Sequence, residues 1–151
     1  MQQRSQIPVF VSVISFLLGM FDLFRGFMHT FLLEYSIKHI AKLDLSTSAA
    51  ADQIQLLGVF GITNFITGIA LILVALRDRT LALIMLFATS ISYGVGIILL
   101  RHVLDGYPSS GAAWNGKGPM MIYLTVCSLT AVLGFLVALC RKKGLMANIL
   151  K

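Results

Sequence analysis

The stretch FDLFRGFMHTFLLEY, residues 21–35, places three chemically capable side chains inside a sequence that is otherwise apolar. Asp22 can hold or pass a proton, Arg25 can bind an anion or a carbonyl oxygen, and His29 can ligate a metal ion. In a helix these residues stand at i,i+3 and i,i+4 spacings, so the three side chains can touch one another. Because charged groups are costly inside a bilayer, their presence favours a functional role.

Further polar side chains lie in the later apolar stretches of the chain. At a rise of about 1.5 Å per residue, Asp22, Arg25, Tyr93 and Tyr123 fall within the same outer third of a ~30 Å hydrocarbon core, and Asn64 lies nearer its middle. The sequence therefore predicts one polar intramembrane pocket, open to the outer side of the membrane. Its predicted ligand-binding residues are Asp22, Arg25, His29, Asn64, Tyr93 and Tyr123.

A structural interpretation stands beside the functional one. Asp22 and Arg25 are also compatible with an ion pair that neutralises itself and fixes helix register, with His29 merely interfacial. Asn64 and the threonines of the spans are typical of side chains that hydrogen-bond between membrane helices, and the glycines are typical of close helix packing.

Metal and proton chemistry are less well supported. Neutral imidazole is the commonest ligand for zinc or haem, yet the three histidines form no H-x-x-x-H or H-E-x-x-H pair. A proton carrier would use Asp22 as its relay, but Arg25 one turn away favours the ionised carboxylate. We therefore predict no metal site and no cofactor.

The composition indicates the elements that must hold these residues. Hydrophobic residues make up 58% of the 151-residue chain, charged residues make up 12%, and the mean hydropathy is +0.89. A membrane-spanning helix needs roughly 20 apolar residues, and four stretches qualify: about 7–33, 54–76, 80–104 and 119–140. Since the connecting segments are short, the sequence predicts a single all-α membrane domain over residues 1–151, an antiparallel four-helix bundle.

Each predicted span has a polar side and an apolar side. On the first span, Ser15, Gly19 and Gly26 share the side of Asp22 and His29, and the opposite side is predicted to face lipid. The lipid-facing residues are Val13, Met20, Phe24, Phe27 and Phe31. The polar sides of the other spans are predicted to hold Gln53, Gly61, Asn64, Thr67 and Gly68; Ser90, Tyr93, Gly94 and Arg101; and Tyr123, Cys127, Thr130 and Gly134.

The charge distribution predicts the orientation. With both termini and the turn at residues 77–79 on one side, that side holds seven basic residues and one acidic residue, which is the whole net charge of +6. The other side is neutral. The positive-inside rule then makes both termini cytoplasmic and the protein a multi-pass protein of the cell membrane. The basic residues are juxtamembrane anchors, so nucleic acid is not an expected partner.

Local signals predict how the connecting segments are built. Residues Ile37, Ile40 and Ala41 lie on one side of a short interfacial helix in the first outer loop. Residues 46–48 are predicted to cap the second span, and Asp78 or Thr80 the third. In the second outer loop, Tyr107 and Trp114 are suited to the headgroup belt.

The segments RGFMHTFLLEYS (residues 25–36) and LLGVFGITNFITG (residues 56–68), with the predicted topology, resemble the small DoxX-like and BphX-like four-helix membrane proteins. The likeness covers nearly the whole chain: four spans, both ends inside, and a second span with glycine and asparagine followed by a short basic turn. The resemblance implies an accessory membrane protein of the kind encoded beside redox or aromatic-degradation genes. It identifies no catalytic motif.

Two functions follow as expectations. The first is a non-catalytic accessory protein of the inner membrane that binds a small molecule, lipid or partner subunit through the outward-facing pocket. Its candidate partners are membrane lipids, a small lipophilic or anionic ligand, and a second copy or another membrane subunit. The alternative is a membrane-embedded enzyme or redox subunit acting on a lipophilic aromatic compound or quinone. The missing electron-transfer ligand set argues against this alternative.

Overall fold

A computed structural model describes residues 6–105 and 117–149, and within these ranges the protein is all-α, with no strand. Helix α1 spans Val9–Thr30, and a short helix α2, Leu33–Tyr35, continues into a π-helical segment, Ser36–Ala41. The remaining elements are α3, Ala50–Arg77; α4, Arg79–Leu104; and α5, Lys117–Ile149. The all-α fold class predicted from the sequence is confirmed.

Four of these helices are long and apolar enough to cross a membrane. The spanning segments are Val9–Thr30, Ala50–Arg77, Arg79–Val103 and Gly118–Lys142, which contain 22, 28, 25 and 25 residues. At 1.5 Å per residue each exceeds a ~30 Å hydrocarbon core. Length and composition therefore support a multi-pass membrane protein.

Helix α1 buries its polar side and exposes its apolar side, the reverse of a helix in a water-soluble protein. Ser15, Gly19, Asp22, Gly26 and His29 are buried, as predicted from their shared side. The predicted lipid-facing residues are all exposed: Val13, Met20, Phe24, Phe27 and Phe31. This inversion is expected where the surrounding solvent is hydrocarbon, because exposed apolar side chains then cost nothing and polar groups need protein partners.

Glycines bring α1 and α3 into close contact. A Cβ on Gly68 would lie 2.8 Å from the backbone oxygen of Gly19, and a Cβ on Gly26 would lie 3.0 Å from the backbone oxygen of Gly61. A side chain at these positions would force the helix backbones apart. The close approach sets Asp22, which lies between the two glycines of α1, directly against α3.

Helix α5 packs against α1 and the first half of α4. Val11 and Cys127 are fully buried in this core. A Cβ on Gly134 would lie 2.6 Å from Val11 Cγ2. Nearer the chain ends, Arg141 Nη1 donates to the Gln6 carbonyl oxygen at 3.3 Å. The second half of α4 is packed much less tightly, since Cβ atoms on Gly94 and Gly96 would meet nothing within 4 Å.

The first helix ends earlier than the predicted span, at Thr30 instead of residue 33. The chain turns at Phe31 and Leu32, and the short helical segment that follows ends at Lys42, whose φ of 51° is left-handed. The predicted short helix in this loop is confirmed. Its Ile37 and Ala41 are buried within the protein, whereas Ile40 remains exposed.

The predicted helix caps have different outcomes. Asp78 caps α4, because its Oδ1 accepts from the backbone N–H groups of Thr80 at 2.6 Å and Leu81 at 3.4 Å. The predicted cap of α3 at residues 46–48 is wrong: α3 begins after Ala49 with no side-chain cap. The reason is local, since the backbone N–H and hydroxyl of Ser46 both donate to the Asp44 carboxylate. Tyr107 and Trp114 lie outside the described residues.

Candidate functional site

The Asp22 carboxylate is held by side chains from three helices. Its Oδ2 accepts from the Tyr123 hydroxyl of α5 at 2.8 Å and from the Thr67 hydroxyl of α3 at 3.3 Å, and its Oδ1 lies 3.4 Å from Arg25 Nη1. Thr67 has one hydroxyl hydrogen, and the Thr63 and Asn64 carbonyl oxygens at 3.2 Å compete for it. The Tyr123 bond is therefore the firmest contact. Asp22 is only 3% exposed, so these donors replace the water that it would otherwise bind.

The charge of Arg25 is balanced by Asp22, but its guanidinium makes few hydrogen bonds. Its contact with Asp22 is long, and its side chain is 15% exposed. Its guanidinium carbon lies 5.8 Å from the ring centroids of Phe21 and Tyr123 and 5.2 Å from that of Phe60. These distances are suitable for cation–π attraction. A guanidinium has five N–H donors, and in the described part of the chain one of them is engaged by Asp22. The rings compensate part of its charge and leave most donors unused.

Asn64 is buried on the side of α3 that faces α1. It is 4% exposed, and its Nδ2 has no hydrogen-bond partner among the described residues. Within the same stripe of α3, Phe60 lies one turn before it and contacts Arg25, and Thr67 lies one turn after it and contacts Asp22. Asn64 is therefore bracketed by two residues of α3 that touch the ion pair.

His29 has a separate partner. Its Nδ1 lies 2.6 Å from the Ser36 hydroxyl, and both residues are buried. The Phe60 ring centroid lies 6.3 Å from the imidazole. A Cβ on Gly61 would come within 2.8 Å of His29 Cβ, so the absence of a side chain at Gly61 makes room for the histidine. His29 ties the end of α1 to the π-helical segment and is not hydrogen-bonded to Asp22 or Arg25.

Tyr93 is half-buried and packs beside the core that contains Tyr123 and Cys127. No hydrogen bond of its side chain is present in the described ranges. Two residues of its predicted polar side, Gly94 and Arg101, are exposed. The predicted polar side of α4 is thus wrong in the second half of the helix, because that half packs loosely against the other helices.

Some contacts of the site were not anticipated from the sequence. Thr67 was assigned to the polar side of its helix but not to the pocket, although its spacing from Asn64 is a usable signal. Phe21 and Phe60 gave no signal, since apolar aromatic residues are common in membrane helices. Ser36 could not be paired with His29 without knowing that the chain turns back after Thr30.

The loop beyond the site carries its own charge pair. Lys38 Nζ donates to Glu34 Oε1 at 2.6 Å, and both side chains are exposed. This hydrogen bond, together with the positive charge of Lys38, lowers the pKa of Glu34 below its ordinary value. Among the described residues no group of three or more His, Cys, Asp or Glu side chains is placed to hold a metal ion.

Comparison of the chain with protein-family models, curated proteins and solved structures finds no match. The resemblance to DoxX-like and BphX-like proteins therefore stays a prediction.

Proposed function

We propose that this chain is a multi-pass protein of a cell membrane with four antiparallel spans and both termini in the cytoplasm. The order of contacts supports antiparallel packing: Gly19 meets Gly68 and Gly26 meets Gly61, so numbers rise on α1 as they fall on α3. The same reversal relates α1 to α5, where Asp22 meets Tyr123 and Val11 meets Gly134. The concentration of basic residues at the end that holds Arg77, Arg79 and Arg141 supports a cytoplasmic location for that end.

Its function is to bind a lipophilic small molecule or lipid that carries a hydrogen-bond acceptor, a carboxylate or a carbonyl. One observation carries this proposal: among the described residues, the Arg25 guanidinium is held by three aromatic rings and a single long contact to Asp22. An arginine whose only role was to pin two helices would be expected to make short, bidentate bonds to its partner. The spare donors of Arg25 are suited to an acceptor on a ligand.

The two charged residues have different roles in this proposal. Asp22 receives donors from three helices and positions Arg25, whereas Arg25 contacts the ligand. Asp22 lies eight residues before the end of α1, which corresponds to a depth of about 12 Å below the outer surface. A ligand reaches this depth from the outer side or from the adjacent leaflet, and water is scarce enough there for a hydrogen bond to be effective. The proposed role is accessory and non-catalytic.

The test uses the purified full-length protein in lipid nanodiscs and two sets of probes. The aliphatic set is decanoate, methyl decanoate and decane; the aromatic set is benzoate, acetophenone and ethylbenzene. Binding is measured by titration and by the carbonyl or carboxyl ¹³C resonance of labelled probes. We expect at least one acceptor-bearing probe to bind in preference to its hydrocarbon analogue.

The matched variants are Arg25→Leu and Arg101→Leu. Arg101 is an exposed arginine near the end of α4, so its replacement controls for the loss of a membrane-proximal positive charge. Arg25→Leu should abolish the preference for the acceptor, and Arg101→Leu should retain it. If the wild-type protein binds no acceptor-bearing probe better than its hydrocarbon analogue, the proposed function is wrong.

A further inference from the structure

The charges around Arg25 already cancel. Asp22 is ringed by donors from Tyr123, Thr67 and Arg25, an environment that suits the ionised carboxylate. With this carboxylate ionised, the Asp22–Arg25 pair has no net charge. The nearest charged residues of the loop, Glu34 and Lys38, neutralise each other at the exposed surface. A carboxylate bound to Arg25 would add a negative charge that no described residue of the site balances, at a depth where an uncompensated charge is costly.

Among the described residues, hydrogen-bond donors near the pair are left without acceptors. Arg25 has unused N–H groups, and the Nδ2 of Asn64 has no partner although the residue is 96% inaccessible. A buried amide nitrogen without an acceptor loses hydrogen bonds that it would make in water. Asn64 stands between Phe60, which contacts Arg25, and Thr67, which contacts Asp22. Its free donor therefore belongs to the stripe of α3 whose neighbouring residues contact the ion pair, and like the donors of Arg25 it needs an acceptor.

Resting on the proposed function, we propose that the ligand is an uncharged carbonyl compound, a ketone or an ester, whose oxygen accepts from Arg25 and Asn64 together. A carbonyl oxygen has two lone pairs and can accept from two donors at once. It brings no net charge to the site. The rings of Phe21, Phe60 and Tyr123 supply the apolar surroundings for the remainder of the molecule.

The proposal is tested by ranking the probes within each set at a pH well above the pKa of the free acids. We expect methyl decanoate or acetophenone to bind at least about tenfold more tightly than the carboxylate of its set. The ¹³C carbonyl resonance of the bound probe should move in the direction produced by hydrogen bonding.

The second part of the experiment uses the variant Asn64→Leu. The variant should weaken carbonyl binding about five- to tenfold, the effect of losing one hydrogen bond, and leave hydrocarbon binding unchanged. Its melting temperature should be equal to or above that of the wild type, because leucine replaces an unpartnered amide. Thr63→Val is the matched control: Thr63 is exposed on the same helix and donates to the Phe60 carbonyl oxygen. It should change neither property.

The outcomes separate the two proposals. Tighter binding of decanoate or benzoate than of the neutral probes would overturn the carbonyl assignment and leave the proposed function standing. A carbonyl probe that binds equally well to wild type and to folded Asn64→Leu would also overturn it. Should no probe with an acceptor bind in preference to its hydrocarbon analogue, both proposals fail.

Discussion

Asp22 and Arg25 carry opposite charges but are held by different kinds of contact. The carboxylate takes hydrogen bonds from α3 and α5 in addition to its own helix, whereas the guanidinium is surrounded mainly by aromatic rings. Removing either residue therefore leaves a different group unsatisfied. Without Asp22, a positive charge remains in an apolar site; without Arg25, a carboxylate remains that still has the Tyr123 and Thr67 donors.

This asymmetry gives a prediction for the pair. Asp22→Asn leaves Arg25 charged and unbalanced, and breaking a buried pair from one side typically costs about 3–5 kcal/mol of stability, somewhat less where water has access. The double variant Asp22→Leu with Arg25→Leu removes both charges and should recover most of that loss while abolishing ligand binding. Melting temperature and probe binding are measured for both proteins.

The interpretation in which the Asp22–Arg25 pair is only structural predicts a different result for the same double variant. If Asp22 and Arg25 only fix helix register, the double variant should fold and bind acceptor probes as well as the wild type. That result would contradict the functional role of the pair. Arg101→Leu again serves as the control for losing one positive charge.

At the scale of the helices, glycines decide which faces meet. Those of the α1–α3 contact leave no room for a side chain, whereas Gly94 and Gly96 of α4 have open space. The contrast is useful because all are helical glycines in one protein. It separates the packing role of glycine from its low intrinsic helix propensity.

Gly68→Ala is therefore expected to destabilise the protein. Its methyl group would lie 2.8 Å from the Gly19 oxygen, so α1 and α3 must move apart, at a cost of about 1–3 kcal/mol. At Gly96 an added methyl group meets no described residue, so Gly96→Ala should not lose stability, since alanine has the higher helix propensity. Unfolding in mixed detergent measures both. Equal losses in the two variants would contradict the role of contact with α1, because the higher helix propensity of alanine predicts no loss at either position.

The start of α4 gives a prediction for pH. The backbone N–H of Thr80 donates to Asp78 and lowers the pKa of this carboxyl group below its ordinary value. A lowered pKa in the folded protein means that the cap stabilises the helix above the carboxyl group's unfolded pKa and is lost as the pH falls through the folded pKa. Asp78→Asn retains an acceptor but cannot titrate. The variant should lack the small acid-side loss of melting temperature that the wild type shows; identical pH profiles would contradict the capping role.

The elements differ in how far the sequence could predict them. The helical periodicity of the sequence predicted the buried side of α1 correctly. Ser15, Asp22 and His29 follow one another at intervals of two helical turns and so lie on one side, and polar groups turn inward because the surrounding solvent is hydrocarbon. The same reasoning failed for the second half of α4, where Gly94 and Arg101 are exposed, since a polar side in sequence does not ensure a packing partner. The His29–Ser36 contact depends on a turn at Phe31 and Leu32 that no glycine or proline marks.

At the scale of the whole molecule, the site lies toward one end and the positive charge toward the other. Asp22 lies in the second half of α1, and it accepts from Tyr123 near the start of α5 and from Thr67 just past the middle of α3. The turn at Asp78 and the contact of Arg141 with Gln6 define the opposite end. The proposed entry of a ligand from outside the cell therefore depends directly on the orientation of the chain.

Orientation is tested by labelling single cysteines in intact cells with a membrane-impermeant maleimide, in a background where Cys127 and Cys140 are replaced. Ser48→Cys and Ser110→Cys lie on the predicted outer side and should be labelled without lysis; other substitutions between residues 108 and 118 should behave alike. Thr80→Cys and Asn148→Cys lie on the predicted inner side. This side holds most of the basic residues, and the positive-inside rule therefore predicts that it is cytoplasmic. They should be labelled only after permeabilisation, which also controls for reactivity. The reverse pattern would place Asp22 and Arg25 nearer the cytoplasm, and the ligand would then have to come from inside the cell.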